Sequence, residues 1–214
     1  MERVRVRLTL LDDMLGTAAA DPEIHDRFIA SNAPDAPTRE EEIAAIGTKE
    51  YIEKSMTVFP RNEAGEPIVW AYQIKGFFKS ACQALRAIKG TESSKIKAFK
   101  KEIDLRWFVY PNAEDKASRA ITIGLSGPLG NCQRPLRAQT MQGERVALAS
   151  SETVPKGSTL EFDVITLGEM NRALLIEWLN YGQFNGLLQW RNSGHGAFAF
   201  EAVDENGEVV GSNV

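Results

Sequence analysis

The chain has 214 residues, 43% hydrophobic and 25% charged, a composition able to bury a core. No apolar run approaches the roughly 20 residues of a membrane-crossing helix, and Cys82 and Cys132 are too few and too separated for a disulfide framework or a structural zinc cluster. The net charge of −4 disfavours an acidic polymer as partner only until its distribution is read: residues 11–66 hold 5 Lys and Arg against 13 Asp and Glu, residues 67–145 hold 14 against 6, and residues 146–214 hold 3 against 9. The middle third is therefore basic, and it is the local field that draws phosphates.

Residues 3–11, RVRVRLTLL, alternate, with Val4, Val6, Leu8 and Leu10 on one face and Arg3, Arg5, Arg7 and Thr9 on the other. That is a half-buried strand with a basic outer face rather than a signal peptide, and a reducing cytoplasm away from any membrane is the expected location. From 12 to 57 the chain is polar and acidic; DPEIHDRFIA and TREEEIAAIGTKEYIEKS read as short helices, the second capped by Thr38, with SNAPDAP as a loop between them. MTVFPRNEAGEPIVW reads as strand, turn at Asn62–Gly65, strand.

IKGFFKSACQALRAI sets Ile74, Phe77, Phe78, Ala81, Cys82, Leu85 and Ile88 on one helix face, with Lys75, Lys79, Arg86 and Lys89 off it. Residues 89–101 are lysine-rich and read as mobile or helical. LRWFVY, RAITIGL and TLEFDVITL are strands; the polar stretch between the last two is an excursion that turns at Gln142–Gly143. GEMNRALLIEWLNYG is a last helix, GAFAFEAV the closing strand, and DENGEVVGSNV adds a short hairpin strand. The order is strand, helix, strands, helix, strand, an α+β, ferredoxin-like pattern with large insertions after the first strand and before the strand preceding the second helix.

Between the last helix and the last strand lies GLLQWRNSGHGAFAF. Its glycines free backbone N–H groups and admit a phosphate, Arg191 offers a bidentate fork, and Trp190 or His195 can stack on a base. The plainer reading is a tight turn at Gly194 and Gly196 with Trp190 in the core.

This loop resembles the signature glycine-rich loop of the RAMP superfamily of CRISPR-associated proteins. RNEAGEPIVWAYQIKGFFKSACQALR resembles the segment of CRISPR effector backbone subunits in which a turn and strand lead into a Lys-Gly helix start, and VPKGSTLEFDVITL resembles their strand before the second helix. The matches run in order over residues 1–11 and 58–203. WAYQ replaces the family's usual Pro-Gly-Ser-Ser, and His195 stands where Tyr is commoner.

The resemblance implies one modified ferredoxin-like, RRM-like domain over 1–214, with 12–57 an acidic helical insertion and 126–158 a thumb-like hairpin. It implies a non-enzymatic protein that binds single-stranded nucleic acid, RNA or DNA, without reading sequence, stacks into a homo-oligomeric filament and joins other effector subunits. Lys75, Gly76, Lys79 and Arg86 would hold phosphates from the helix and Arg134, Arg137 and Arg145 from the hairpin, while the loop would position the backbone with Arg191, Gly194 and Gly196 and offer Trp190 or His195 for stacking. No cofactor or metal is expected.

Three alternatives stand beside it. One is a virus-encoded decoy or inhibitor, or a phage single-stranded DNA-binding protein, on the same fold. Another is a metal-independent endoribonuclease using His25. The third is metal-dependent cleavage through Asp12, Asp13, Asp21 or Asp35, residues of the loop after the first strand.

Overall fold

The computed structural model describes residues 1–20, 56–114, 116–140 and 143–214. The helices expected between 12 and 57, the Thr38 cap, His25, Asp21, Asp35 and the turn residue Gln142 lie outside the described residues. Two compact units emerge, one of Met1–Met14, Pro60–Pro128 and Val154–Val214, the other of Leu15–Phe59 and Leu129–Thr153.

The first unit is built on strand β1, Glu2–Leu10, whose alternation holds as expected: Val4, Val6, Leu8 and Leu10 are buried, while Arg7 is exposed. Its neighbours come from far along the chain. β10, Thr159–Thr166, pairs with it antiparallel on one side, and β11, Phe198–Asp204, on the other. β6, Trp107–Tyr110, and β7, Ala120–Gly124, share the outer side of β10, β6 along Asp163–Thr166 and β7 along Thr159–Leu160. β5, Ile68–Trp70, extends from β7, and β12, Val209–Ser212, closes the edge beyond β11.

The central order β11-β1-β10-β6 is antiparallel throughout, so β1 and β6 run parallel with β10 between them. That is the split βαβ of a ferredoxin-like α+β fold. Its helices are α1, Ala71–Leu85, in the first crossover, α2, Phe99–Arg106, before β6, and α3, Arg172–Tyr181, before β11.

Aromatic rings fasten the helices to the sheet. Trp178 of α3, fully buried, stacks on Phe78 of α1 at 5.5 Å between centroids and meets Trp107 of β6 at 4.9 Å. Phe77 sets its edge against Phe198 at 5.2 Å. Burying each such side chain contributes about 2 kcal/mol.

α1 differs from expectation at both ends. It begins at Ala71, where Gln73 Oε1 accepts the Trp70 N–H at 2.9 Å, and it ends at Leu85. Gly90, at φ +89°, turns the chain, and the Thr91 hydroxyl lies 3.0 Å from the carbonyls of both Leu85 and Ile88. With the helix stopped there, Ile88 is 55% exposed and leaves the apolar face. The lysine-rich segment is ordered into a 3₁₀ turn at Ser93–Lys95 and then α2. α2 takes Leu105 and Arg106, so the strand expected from Leu105 starts at Trp107.

That segment is held from α3. Glu177 Oε1 accepts the Ser93 N–H at 2.9 Å and the Ser93 hydroxyl, and Oε2 accepts the Glu92 N–H at 2.6 Å. Ser93 Oγ in turn accepts the indole N–H of Trp178 at 3.0 Å.

The second unit is a sheet in which β9, Gly143–Val154, pairs antiparallel with β8, Gly130–Thr140, and parallel with β4, Thr57–Val58, which pairs with β3, Ala18–Ala19. β2, Met14–Leu15, joins the same sheet beside β9. The β8–β9 ladder runs to Thr140↔Gly143. Thr57 Oγ1 donates to Ser151 Oγ at 2.8 Å, and Glu152 Oε2 accepts the Phe59 N–H at 2.9 Å. Residues from both insertions thus fold together, which the sequence pattern did not announce.

Candidate nucleic-acid interface

RRM domains stack bases on the sheet face away from their helices. Here the outward positions of β1 are Arg3, Arg5, Arg7 and Thr9, and those of β10 are Thr159, Glu161, Asp163 and Ile165, so the aromatic residues of this face come from β6, where Phe108 lies opposite Ile165 and Tyr110 opposite Asp163. Arg5 bridges Glu161 and Asp163 at 3.3 Å each and donates to the Pro111 carbonyl at 2.9 Å, while Arg7 lies 3.7 Å from Glu161. Arg5 and Arg7 of the first strand are thus paired across the sheet with Glu161 and Asp163, while Arg3 lies opposite Ile165.

The helical side is different. Residues 71–106 carry nine Lys and Arg against three Asp and Glu. Seven of the nine are exposed: Arg86, Lys89, Lys95, Lys97, Lys100, Lys101 and Arg106. The remaining two, Lys75 and Lys79, are half-buried between α1 and α2. Lys79 pairs with Asp104 at 2.5 Å, and the Lys75 ammonium donates to the Asp104 carbonyl at 3.2 Å. Burial lowers the Lys75 pKa below its ordinary value, Asp104 pulls it back up, and Lys79 and Arg119 push it down again. Arg86 stacks over Phe99 at 5.1 Å and reaches toward the Lys97 carbonyl. Gly76 faces open space, so nothing in the fold itself requires a glycine there.

At the start of α1 the chain forms a groove of about 320 Å³ lined by Ala71, Tyr72, Lys75, Phe108, Val109, Tyr110 and Arg119. Three links set its geometry. The β5–β7 register places Trp70 opposite Ala120, the Ala71 N–H donates to the Arg119 carbonyl at 2.9 Å, and the Arg119 guanidinium carbon sits 4.2 Å from the Tyr110 ring centre. Lys75 Nζ lies 5.1 Å from the Phe108 ring centre. Tyr72 is 68% exposed. Sequence reading found Lys75 but missed Tyr72, Phe108, Tyr110 and Arg119. The available signal was the alternation of WFVY, which turns Phe108 and Tyr110 away from buried Trp107 and Val109, and Tyr72 standing off the apolar face of α1.

The glycine-rich loop is explained first by packing. A Cβ on Gly186 would lie 2.0 Å from the Gly196 carbonyl carbon, and Gly196, at φ +70°, donates its N–H to the Asp13 carbonyl at 2.9 Å. Two backbones cross there without room for a side chain. Leu188 and Trp190 take φ of +63° and +59°, a left-handed conformation that costs a non-glycine residue about 1 kcal/mol or more.

Trp190 and His195 stack on each other at 5.3 Å. His195 Nδ1 lies 3.2 Å from the Asp13 carbonyl and 4.0 Å from Asp12 Oδ1, and Asp13 Oδ1 accepts the Lys156 N–H at 2.9 Å. Gly194, at φ +90°, is half-buried beside Asp12, and Arg191 opens a 3₁₀ turn that Gly194 ends. The loop therefore gathers Trp190, Gly194, His195 and Gly196 against Asp12 and Asp13. It does not gather them with Lys75, Lys79 or Arg86 in any contact among the described residues.

Arg134, Arg137 and Arg145 lie on the β8–β9 hairpin of the second unit, opposite Ala149, Val146 and Ala138. Arg134 is half-buried. Among the described residues no group of three or more His, Cys, Asp or Glu is placed to hold a metal ion, and no helix is long and apolar enough to cross a membrane.

No family model matches the sequence, and no curated protein matches it. Among solved structures the chain is similar to one chain of the cryo-EM structure of the Type III-B Cmr-beta bound to cognate target RNA, at 11% identity and a TM-score of 0.49. The similarity covers 95% of this chain and 61% of that one.

Proposed function

We propose that this protein binds single-stranded nucleic acid, RNA above DNA, through its sugar–phosphate backbone without reading sequence, in the manner of a CRISPR effector backbone subunit, and assembles in copies along the strand. The observation that carries this reading is the basic stretch of α1, α2 and the segment between them, with seven exposed cations, of which Lys95 pairs with Glu92 and Arg106 with Glu102, and three carboxylates in 36 residues. A strand laid along it exchanges its condensed counterions for fixed ammonium and guanidinium groups, the main source of affinity in non-specific binding. Lys75, Lys79 and Arg86 contribute from α1 and Arg134, Arg137 and Arg145 from the hairpin acting as a thumb. The glycine-rich loop, with Trp190, Arg191, Gly194, His195 and Gly196, positions the strand.

The test is a salt titration of binding to fluorescent 30-nucleotide RNA and DNA, with light scattering for the size of the complex. About five phosphate contacts give a log–log slope of roughly −3.5 for a single strand. Salt-sensitive binding in multi-copy complexes is expected. A protein that stays monomeric and binds neither strand at low salt refutes the proposal.

A further inference from the structure

The groove at the start of α1 differs from the rest of the basic layer in carrying three aromatic side chains, Tyr72, Phe108 and Tyr110, beside two cations, Lys75 and Arg119, and no carboxylate. Its counterpart near α2, about 300 Å³, mixes Lys95 and Arg106 with Glu102 and Glu169 and offers one aromatic, Trp107, which is buried. Phosphate neutralisation alone needs no rings, and an apolar ligand needs no pair of cations. Together they match one chemistry: a planar base joined to a phosphate.

Resting on the reading of this protein as a single-stranded nucleic-acid binder, we infer that the groove is a nucleotide-stacking site, in which one base lies on Tyr72 and its phosphate meets Lys75 and Arg119. The parts are held for that task. Arg119 is fixed over Tyr110, with its guanidinium also donating to the Lys116 carbonyl at 2.7 Å, and its backbone is tied to the first N–H of α1. Lys75 is fixed by the Asp104 carbonyl and the Phe108 ring. Tyr72, mostly exposed, is left as the ring with a free surface. The mutual repulsion of Lys75 and Arg119, which already disfavours the Lys75 charge, is relieved when an anion enters between them. The volume is at the small end of ligand pockets, roughly 300–1,000 Å³, and fits one nucleotide rather than a folded partner.

The experiment uses the full chain and two variants, Tyr72→Ala and Arg119→Gln, in salt titrations with 30-nucleotide RNA. Alongside, the wild type is titrated with AMP and with inorganic phosphate while the Tyr72, Phe108 and Tyr110 ring resonances are followed by NMR. Tyr72→Ala is expected to weaken RNA binding about tenfold with an unchanged salt slope, because it removes stacking and no charge. Arg119→Gln is expected to reduce the slope by about one contact's worth. AMP is expected to shift the ring resonances, and phosphate alone to shift them far less.

RNA affinity within twofold of wild type in Tyr72→Ala overturns the stacking site while leaving the nucleic-acid reading intact. If the wild type binds no RNA, that reading fails and the AMP titration decides the groove by itself: ring shifts keep a nucleotide pocket, and their absence overturns it. An Asp/Glu-rich peptide that moves the same resonances with affinity equal to AMP identifies an acidic protein partner instead and overturns the inference.

Discussion

The segment between α1 and α2 is clasped to α3 by the Glu177 carboxylate, and Glu177→Gln tests that directly. Glu177 accepts three hydrogen bonds from the 92–93 segment, two on Oε1 and one on Oε2, the latter at 2.6 Å from the Glu92 nitrogen. A glutamine keeps one acceptor. With its oxygen in the Oε1 position, the amide NH₂ faces the Glu92 N–H, so one charge-assisted bond is lost, a cost of about 1.5–3 kcal/mol. The two bonds to Ser93 become neutral and lose roughly half their strength. The sum is at least about 3 kcal/mol, felt mainly in the segment that carries Lys89, Lys95 and Lys97.

Amide hydrogen exchange at Ser93 to Ile96, together with urea denaturation, reads this out. Protection across those residues is expected to fall by about a hundredfold, while β1 and β10 amides change far less. A variant that keeps wild-type protection at 93–96 and loses under about 0.5 kcal/mol in urea refutes the idea that Glu177 clasps this segment.

Two glycines are expected to respond oppositely to alanine. Gly186→Ala drives a methyl into the Gly196 backbone, so the variant should be destabilised by more than about 3 kcal/mol in urea, whereas Gly76→Ala, in open space within α1, should stabilise by roughly 0.5–1 kcal/mol. The Gly76→Ala variant also asks whether a phosphate approaches that backbone, because RNA affinity should then fall although stability rises. Asp204 gives an acid-side dependence. Burial raises its pKa, but the Asn206 and Glu208 N–H groups and the Arg172 guanidinium outweigh that and hold the carboxyl below its ordinary 3.8. The unfolded chain therefore binds the proton first as pH falls, so the Asp204 contribution is complete above 3.8 and lost as pH falls through the lowered folded value. Acid-unfolding curves of Asp204→Asn should be flatter than wild type in that window; parallel curves would refute the assignment.

Much of the fold was legible because it rests on local periodicity. The alternation of β1, the apolar face through Ile74, Phe77 and Phe78, and the Asn62–Gly65 turn follow from residues a few positions apart. The pattern did not say where α1 stops, because that depends on Gly90 and on Thr91 reaching back to Leu85. α2 was hidden by its composition: FKKEIDLR buries only Phe99 and Ile103.

The candidate site was half visible for the same reason. Lys75 could be named from its helix, but Arg119 reaches it only through the β5–β7 register and the Ala71–Arg119 bond. Likewise the neutralisation of Arg5 and Arg7 needs Glu161 and Asp163, more than 150 residues away. Spacing in sequence carries no information about partners that distant.

The central position of β1 also sets a schedule for synthesis. Its partners are residues 159–166 and 198–204, so β1 waits for strands made about 150 and 190 residues later. At 5–20 residues per second, translation leaves β1 without its neighbours for about 8–30 s. An apolar strand left unpaired that long invites association with other chains. Arg3, Arg5 and Arg7, alternating with the valines, give the nascent segment like charges that repel its own copies, and once Glu161 and Asp163 have been made, Arg5 and Arg7 become cross-strand ion pairs. The same arginines thus act twice, as guards of the ribosome-bound strand and later as ties across the finished sheet.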